Sequence, residues 1–328
     1  TEHFMTAEIP VARGPVSAWV VHALREGAAG DPPPLPEATI IEDGDAQLAL
    51  WMLYELHYRG FRAVPDREWD PILIGLRRAL ETAYENALRV TLEEVVSGQT
   101  SGDIGQVLLD MAQADNGPGV ASFLQRKATR EQMRDYLRER SVQQLKESDP
   151  QSFVLARLDG QAKVALAELQ YDEYGAGRTT RLHSTLYADA LRAVGLDSRY
   201  GVYINDVSAV SLACANVMSL FSLNRRLRGA AMGHLAAFEA TSSLPCRKIS
   251  IGLARLHFPP AAAVYFDEHV EADAVHEQLA VRTIVGALLE EEPELEEDVW
   301  FGAFTCLDLE DRFARTMLAR WGVGEEQV

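Results

Sequence analysis

Cysteine is scarce: Cys214, Cys246 and Cys306 are the only three in 328 residues, an odd number set far apart in apolar runs. A disulfide framework is excluded, and buried free thiols in a reducing compartment are expected. Basic residues are short too, with 31 Lys and Arg against 49 Asp and Glu and a net charge of −18. That balance repels a phosphate backbone, and no basic stripe interleaved with aromatics offsets it, so nucleic acid is excluded as a partner. Long apolar runs are also missing. The longest uncharged run, 207–224, is punctuated by Ser208, Ser211, Asn216, Ser219 and Ser222 and reads as a buried core helix, so no membrane span is expected. No segment shows the three regions of a signal peptide, which predicts a cytoplasmic location.

The alternation expected of strands is rare, and what is present is helical periodicity. Leu48 to Arg59, Pro71 to Leu92 and Arg130 to Lys146 set apolar residues three and four apart between charges, which predicts an all-α fold. Ser148, Asp149 and Pro150 can cap a helix running from Gln151 to Tyr174, which the glycines at 175 and 177 stop. Thr179 and Thr180 can cap the next. A long helix is expected over about Leu223 to Leu256, closed by Pro259 and Pro260. Three parts follow: a loop-rich segment at 1–45, a helical unit at 46–119, and a larger helical domain at 120–328. The glycines between Gly98 and Gly119 mark the boundary. Trp51, Leu53, Tyr54, Tyr58 and Phe61 make the first unit too apolar for a free surface; it must cover the core or a second subunit, and a homodimer is expected.

Chemistry concentrates near residue 270. On a helix at about 100° per residue, His269, Asp273 and His276 fall within roughly 60° of one another. Two imidazoles and a carboxylate on one face suit a borderline divalent metal such as iron, manganese or zinc. Matching groups stand elsewhere: Glu173 and His183 can approach across a tight glycine turn, and Glu239 lies in an otherwise apolar helix where a bare carboxylate is costly. Three carboxylates and three imidazoles from four helices could hold two divalent metals.

These six residues together resemble the haem-oxygenase-like diiron oxidases and oxygenases, the iron-containing redox enzymes. Their pattern of a Glu, a His about ten residues on, a second Glu on a later helix and a final His-x3-Asp-x2-His helix is matched by Glu173, His183, Glu239, His269, Asp273 and His276. The resemblance covers about residues 125–290. It implies a haem-oxygenase-like (TenA-like) helical bundle with an N-terminal helical unit, two Fe(II) ions, O2 as co-substrate, an external electron donor or reductase, and a small-molecule substrate. Within that family the biosynthetic N-oxygenases share an N-terminal dimerisation unit, and can carry a C-terminal cupin that has no counterpart in this sequence. They also have an additional upstream carboxylate that can join the metals, for which Glu147 is the candidate.

The activity so implied is oxygen insertion on an amine or guanidine nitrogen. Desaturation or C–C fragmentation of an amino or fatty acid by the same centre is the rival, and a metal-free helical small-molecule-binding protein is the alternative of another class. No catalytic group is expected beyond the metal ligands. Tyr174 and Tyr265 are candidates for a substrate pocket, with packing as the competing role. His57 is expected to be structural, His234 to face away from Glu239, and Arg225, Arg226 and Arg228 to form a solvated helix start.

Overall fold

The computed structural model describes residues 6–62, 64, 67–98, 103–114 and 119–324, without the side chains of 113 and 271–275. Among the described residues, the only extended pairing is one isolated bridge between Ala7 and Phe61. The rest of the regular structure is helical: α1 (Pro15–Glu26), α2 (Gly44–Glu55), α3 (Pro71–Ser97), α4 (Ile104–Ala114), α5 (Val120–Arg126), α6 (Arg130–Gln144), α7 (Asp149–Ser152), α8 (Gly160–Glu173), α9 (His183–Ala193), α10 (Ala209–Leu223), α11 (Arg228–Arg255), α12 (Val264–Glu277), α13 (Gly286–Glu291) and α14 (Glu296–Arg320). This is an all-α, haem-oxygenase-like bundle. No helix among the described residues is long and apolar enough to cross a membrane.

Polar caps start several helices. Asp70 accepts from the amides of Ile72 and Leu73 at α3, Thr129 and Gln132 form a reciprocal capping box at α6, and Ser208 accepts from Ser211 N at α10. Helix α10, the long uncharged run of the sequence, is buried along almost its whole length and packs against α2, α6, α11 and α14. Its Asn216 donates inside the core to the backbone oxygen and side-chain oxygen of Gln47, both at 2.8 Å. The apolar face of α2 is spent on this packing: Trp51, Leu53 and Tyr54 are buried within the chain, and one hydrophobic cluster runs from Ala7 to Leu318. That face does not itself call for a second subunit.

Three local expectations are corrected. The segment 151–174 is not one helix: α7 ends at Ser152, a 3-10 turn follows at Leu155–Arg157, and α8 begins at Gly160, whose amide donates to the Asp159 carboxylate at 2.8 Å. Thr179 and Thr180 lie in a 3-10 turn, and α9 starts only at His183. Arg226 and Arg228 are not merely solvated, since they pair with Glu85 and Glu292. His57 is structural as expected, held between Glu68 and Arg77.

Helices α11 and α14 cross at backbone contact. A Cβ on Gly233 would stand 1.9 Å from the carbonyl oxygen of Val299, and one on Gly302 1.9 Å from that of Ala230. Neither oxygen can yield without separating the helices, so Gly233→Ala or Gly302→Ala is expected to cost about 1–3 kcal/mol or more, read from the urea midpoint. Next to Gly233, His234 is buried with its ring 6.2 Å from that of Phe221, and burial pushes its pKa down to about 4. The folded chain thus keeps His234 neutral where the unfolded chain takes a proton. Its stabilising effect is full above about pH 6.5 and fades as pH falls toward 4, a loss on the order of 3 kcal/mol. In His234→Phe, the stability difference from wild type should shrink over that window; a difference independent of pH would show that His234 is not held neutral.

Candidate metal centre

A glycine turn makes the first half of the site. Glu173 closes α8 and His183 opens α9; between them Gly175 takes φ +76°, and a Cβ there would lie 2.6 Å from the amide nitrogen of Leu182. This close return sets Glu173 Oε2 2.9 Å from His183 Nδ1. From α12, His276 Nδ1 approaches Glu173 Oε1 at 3.2 Å and Glu239 Oε2, on α11, at 3.6 Å. One turn and more before it, His269 Nε2 stands 3.2 Å from Glu147 Oε1. The rings of His183 and His269 are 4.7 Å apart. None of Glu147, Glu173, His183, Glu239, His269 and His276 is more than 8 % exposed.

The structure therefore brings together five of the six residues picked from the sequence and adds Glu147. Asp273 lies on α12 between the two histidines, and its side chain is outside the described residues. Ligand-type atoms fall into two sets, each within 4.8 Å: Glu147, Glu173, His183 and His269, and then Glu173, Glu239 and His276. Glu173 belongs to both.

Hydrogen bonds aim these groups. Tyr265 donates its hydroxyl to both carboxylate oxygens of Glu147, at 2.8 and 3.0 Å, and its backbone oxygen is 2.8 Å from His269 Nδ1, leaving Nε2 turned to Glu147. Ser148 donates to Glu173 Oε2 at 2.9 Å. Ser148 itself takes φ +68°, a left-handed conformation that a side chain seldom adopts. Through that bend Glu147 and the Ser148 hydroxyl both reach the site. Tyr174 is anchored elsewhere, 2.7 Å from the Ser152 hydroxyl and 3.3 Å from Asp149. Asp172 adds an outer carboxylate 3.6 Å from His276 Nε2.

Charge is unevenly spread. Burial pushes the Glu173 carboxyl up, but the neighbouring charge of His183 and the contact with His276 hold it well below the usual range. Burial raises Glu239, and the negative charge of Glu173 adds to that against the pull of His276. Burial disfavours charge on the histidines, yet Glu147 lifts His269 to about 10, and Glu173 and Glu239 lift His276 to about 11. Without a cation the carboxylates thus hold protons on the imidazoles, which a divalent metal would replace.

The donor set suits a metal. Ligand bonds of about 2.1 Å put neighbouring donors roughly 3.0–3.4 Å apart, close to the 2.9, 3.2, 3.2 and 3.6 Å spacings seen here. His183 Nδ1 is buried and, although 2.9 Å from a carboxylate oxygen, is not aligned for a hydrogen bond. Hard carboxylates with borderline imidazoles fit iron, manganese or zinc. Replacing His269 or Glu239 with Ala is expected to lower the iron bound per chain, measured by elemental analysis, with the helical circular dichroism kept; full iron in either variant removes that residue from the ligand set. Tyr265→Phe, which frees Glu147 from its donor, should weaken iron binding by about tenfold.

Over 146 residues the chain is 28% identical to a nitrosourea synthase of Streptomyces achromogenes subsp. streptozoticus, a stretch covering 44% of this chain and 31% of that protein. The matched region is thus under a third of that relative's length. A family model described as iron-containing redox enzyme matches residues 134–311. That span takes in every clustered residue from Glu147 to His276 and just over half of the chain, and the protein belongs to the iron-containing redox enzymes.

Proposed function

We propose that the chain is a non-haem diiron oxygenase acting on a nitrogen of a small organic substrate. The observation that carries this reading is the sharing of Glu173 between two buried ligand sets, an arrangement suited to two metals and not one. Glu147, Glu173, His183 and His269 would hold one iron; Glu173, Glu239 and His276 the other, joined by Asp273 as the family resemblance implies. Bound there, the iron pair would supply the electrons that activate O2.

The chain's own contribution is position and exclusion. Tyr265 and Ser148 keep Glu147 and Glu173 aimed while their charge is shared, and the backbone oxygen of Tyr265 fixes which His269 nitrogen is offered. A cavity reaching His269 is lined by Tyr136, Tyr187, Phe238 and Phe266, an apolar wall that displaces water from beside the centre. The relative's name supports nitrogen as the target, since a nitrosourea carries an oxidised nitrogen. An external donor would resupply electrons.

The test has two stages. Purified under exclusion of air, the chain is expected to take up close to two Fe(II) and to develop a visible absorption band only when O2 is admitted; no uptake would favour the metal-free binding protein. Panels of amines and guanidines with isotopically labelled O2 should then give products containing label on nitrogen. Loss of two hydrogens or a shortened carbon skeleton, without label on nitrogen, would replace this activity with desaturation or C–C fragmentation.

A further inference from the structure

The cavity beside His269 holds about 90 Å³, and Tyr136, Tyr187, Ile249, Tyr265 and Phe266 on its wall are all buried. Aromatic rings lead along it to the ligand cluster: Tyr265 lies 4.9 Å from Tyr187, 5.1 Å from Phe266 and 4.4 Å from the imidazole of His269, centre to centre. Among the described residues, His269 is the one cluster imidazole on this wall.

Several polar groups of the wall are spent within the protein. The hydroxyl of Tyr187 donates to the backbone oxygen of Leu137 at 2.7 Å, that of Thr241 to Ala237 at 2.7 Å, and that of Tyr265 to Glu147. Arg140 donates to both carboxylate oxygens of Glu310, with Nη1 2.7 Å from Oε1, so that pair is closed on itself. What the wall offers is mainly carbon. An engineered apolar cavity of about 150 Å³ stays dry and admits benzene or xenon. The space beside His269 is smaller, fit for xenon or a diatomic molecule and too small for an amine carrying a chain. A polar molecule has another approach to the cluster, a wider hollow of about 370 Å³ lined by Asp172, Arg178, Arg181 and Glu268 that reaches His183 and His276.

We infer that the cavity beside His269 is a binding site for dioxygen, separate from the approach taken by the organic substrate. The inference rests on the proposed function in one respect, that O2 is consumed at the ligand cluster. Dioxygen is apolar and small, so it leaves water readily for a space walled by carbon and gains dispersion contacts there. Water finds few free partners in the same space. The gas then waits on the His269 side, and the hollow on the His183 and His276 side is left to the polar reactant.

The test uses the full chain in wild type and in Ile249→Phe and Thr241→Leu, which add carbon to the wall from α11. Iron-free crystals held under xenon gas should show xenon beside the Tyr187, Phe266 and His269 rings in wild type and in neither variant. Ordered water in the cavity with no xenon overturns the inference. In the iron-loaded chain, the O2 concentration that gives half the maximal rate of absorption change should rise about fivefold in the variants, with iron per chain unchanged. Xenon should also slow the O2 reaction of wild type competitively, a measurement that needs no variant. Xenon bound in the cavity without effect on the O2 reaction, or wild-type O2 dependence in variants that have lost the xenon, overturns the assignment to dioxygen. A chain with no O2 reaction at all removes the proposed function and the dioxygen assignment together; xenon in its cavity distinguishes that failure from the failure of the cavity itself.

Discussion

Burying ionisable groups is the constraint around which the rest is arranged. Three carboxylates and three imidazoles are packed at 8 % exposure or less in the middle of a helical bundle. Isolated charges there would be prohibitive, and they persist only because each is set against another of opposite sign or against a donor. The cluster is thus built to be completed by cations. Its hydroxyl donors, Tyr265 and Ser148, are placed on the carboxylates and not on the histidines, so the nitrogens remain available.

Bringing six side chains from four helices and the turn after α6 to one point requires backbones to approach closely. The paired glycines Gly233 and Gly302 let α11 lie directly on α14, which fixes the helix that carries Glu239. Gly175 folds the chain back tightly enough for α8 and α9 to present Glu173 and His183 to each other. Further along α11, Pro245 interrupts the helical hydrogen bonding beside the cavity wall it lines. Space and ligands are both consequences of where side chains are missing.

The helical spacing of His269 and His276 and the glycine turn between Glu173 and His183 made most of the cluster legible in the sequence. Those features depend on local periodicity and turn chemistry, which a sequence displays directly. Glu147 was only a candidate, because its placement depends on Ser148 adopting a left-handed conformation that nothing in a Lys-Glu-Ser-Asp-Pro stretch announces. The break before α8 was missed for a related reason: Asp159 and Gly160 were submerged in an apolar pattern that continues across them. Helix α2 looked like a surface in need of cover, and long-range packing on α10 supplies that cover within the chain.

Lys146, the neighbour of Glu147, is 3 % exposed; its ammonium lies 3.7 Å from Glu55 Oε2 at the end of α2 and 4.4 Å from the Tyr58 ring centre. Tyr200 completes the arrangement by donating to the same carboxylate oxygen at 2.6 Å. A buried cation cannot be left alone without a large penalty. The backbone that presents Glu147 to the centre is therefore moored, through the next side chain back, to a helix some ninety residues earlier in the chain. Shortening the chain ahead of α6 would strand that ammonium one residue from Glu147, so the early helices act as a counterweight for the carboxylate–imidazole cluster as well as a covering.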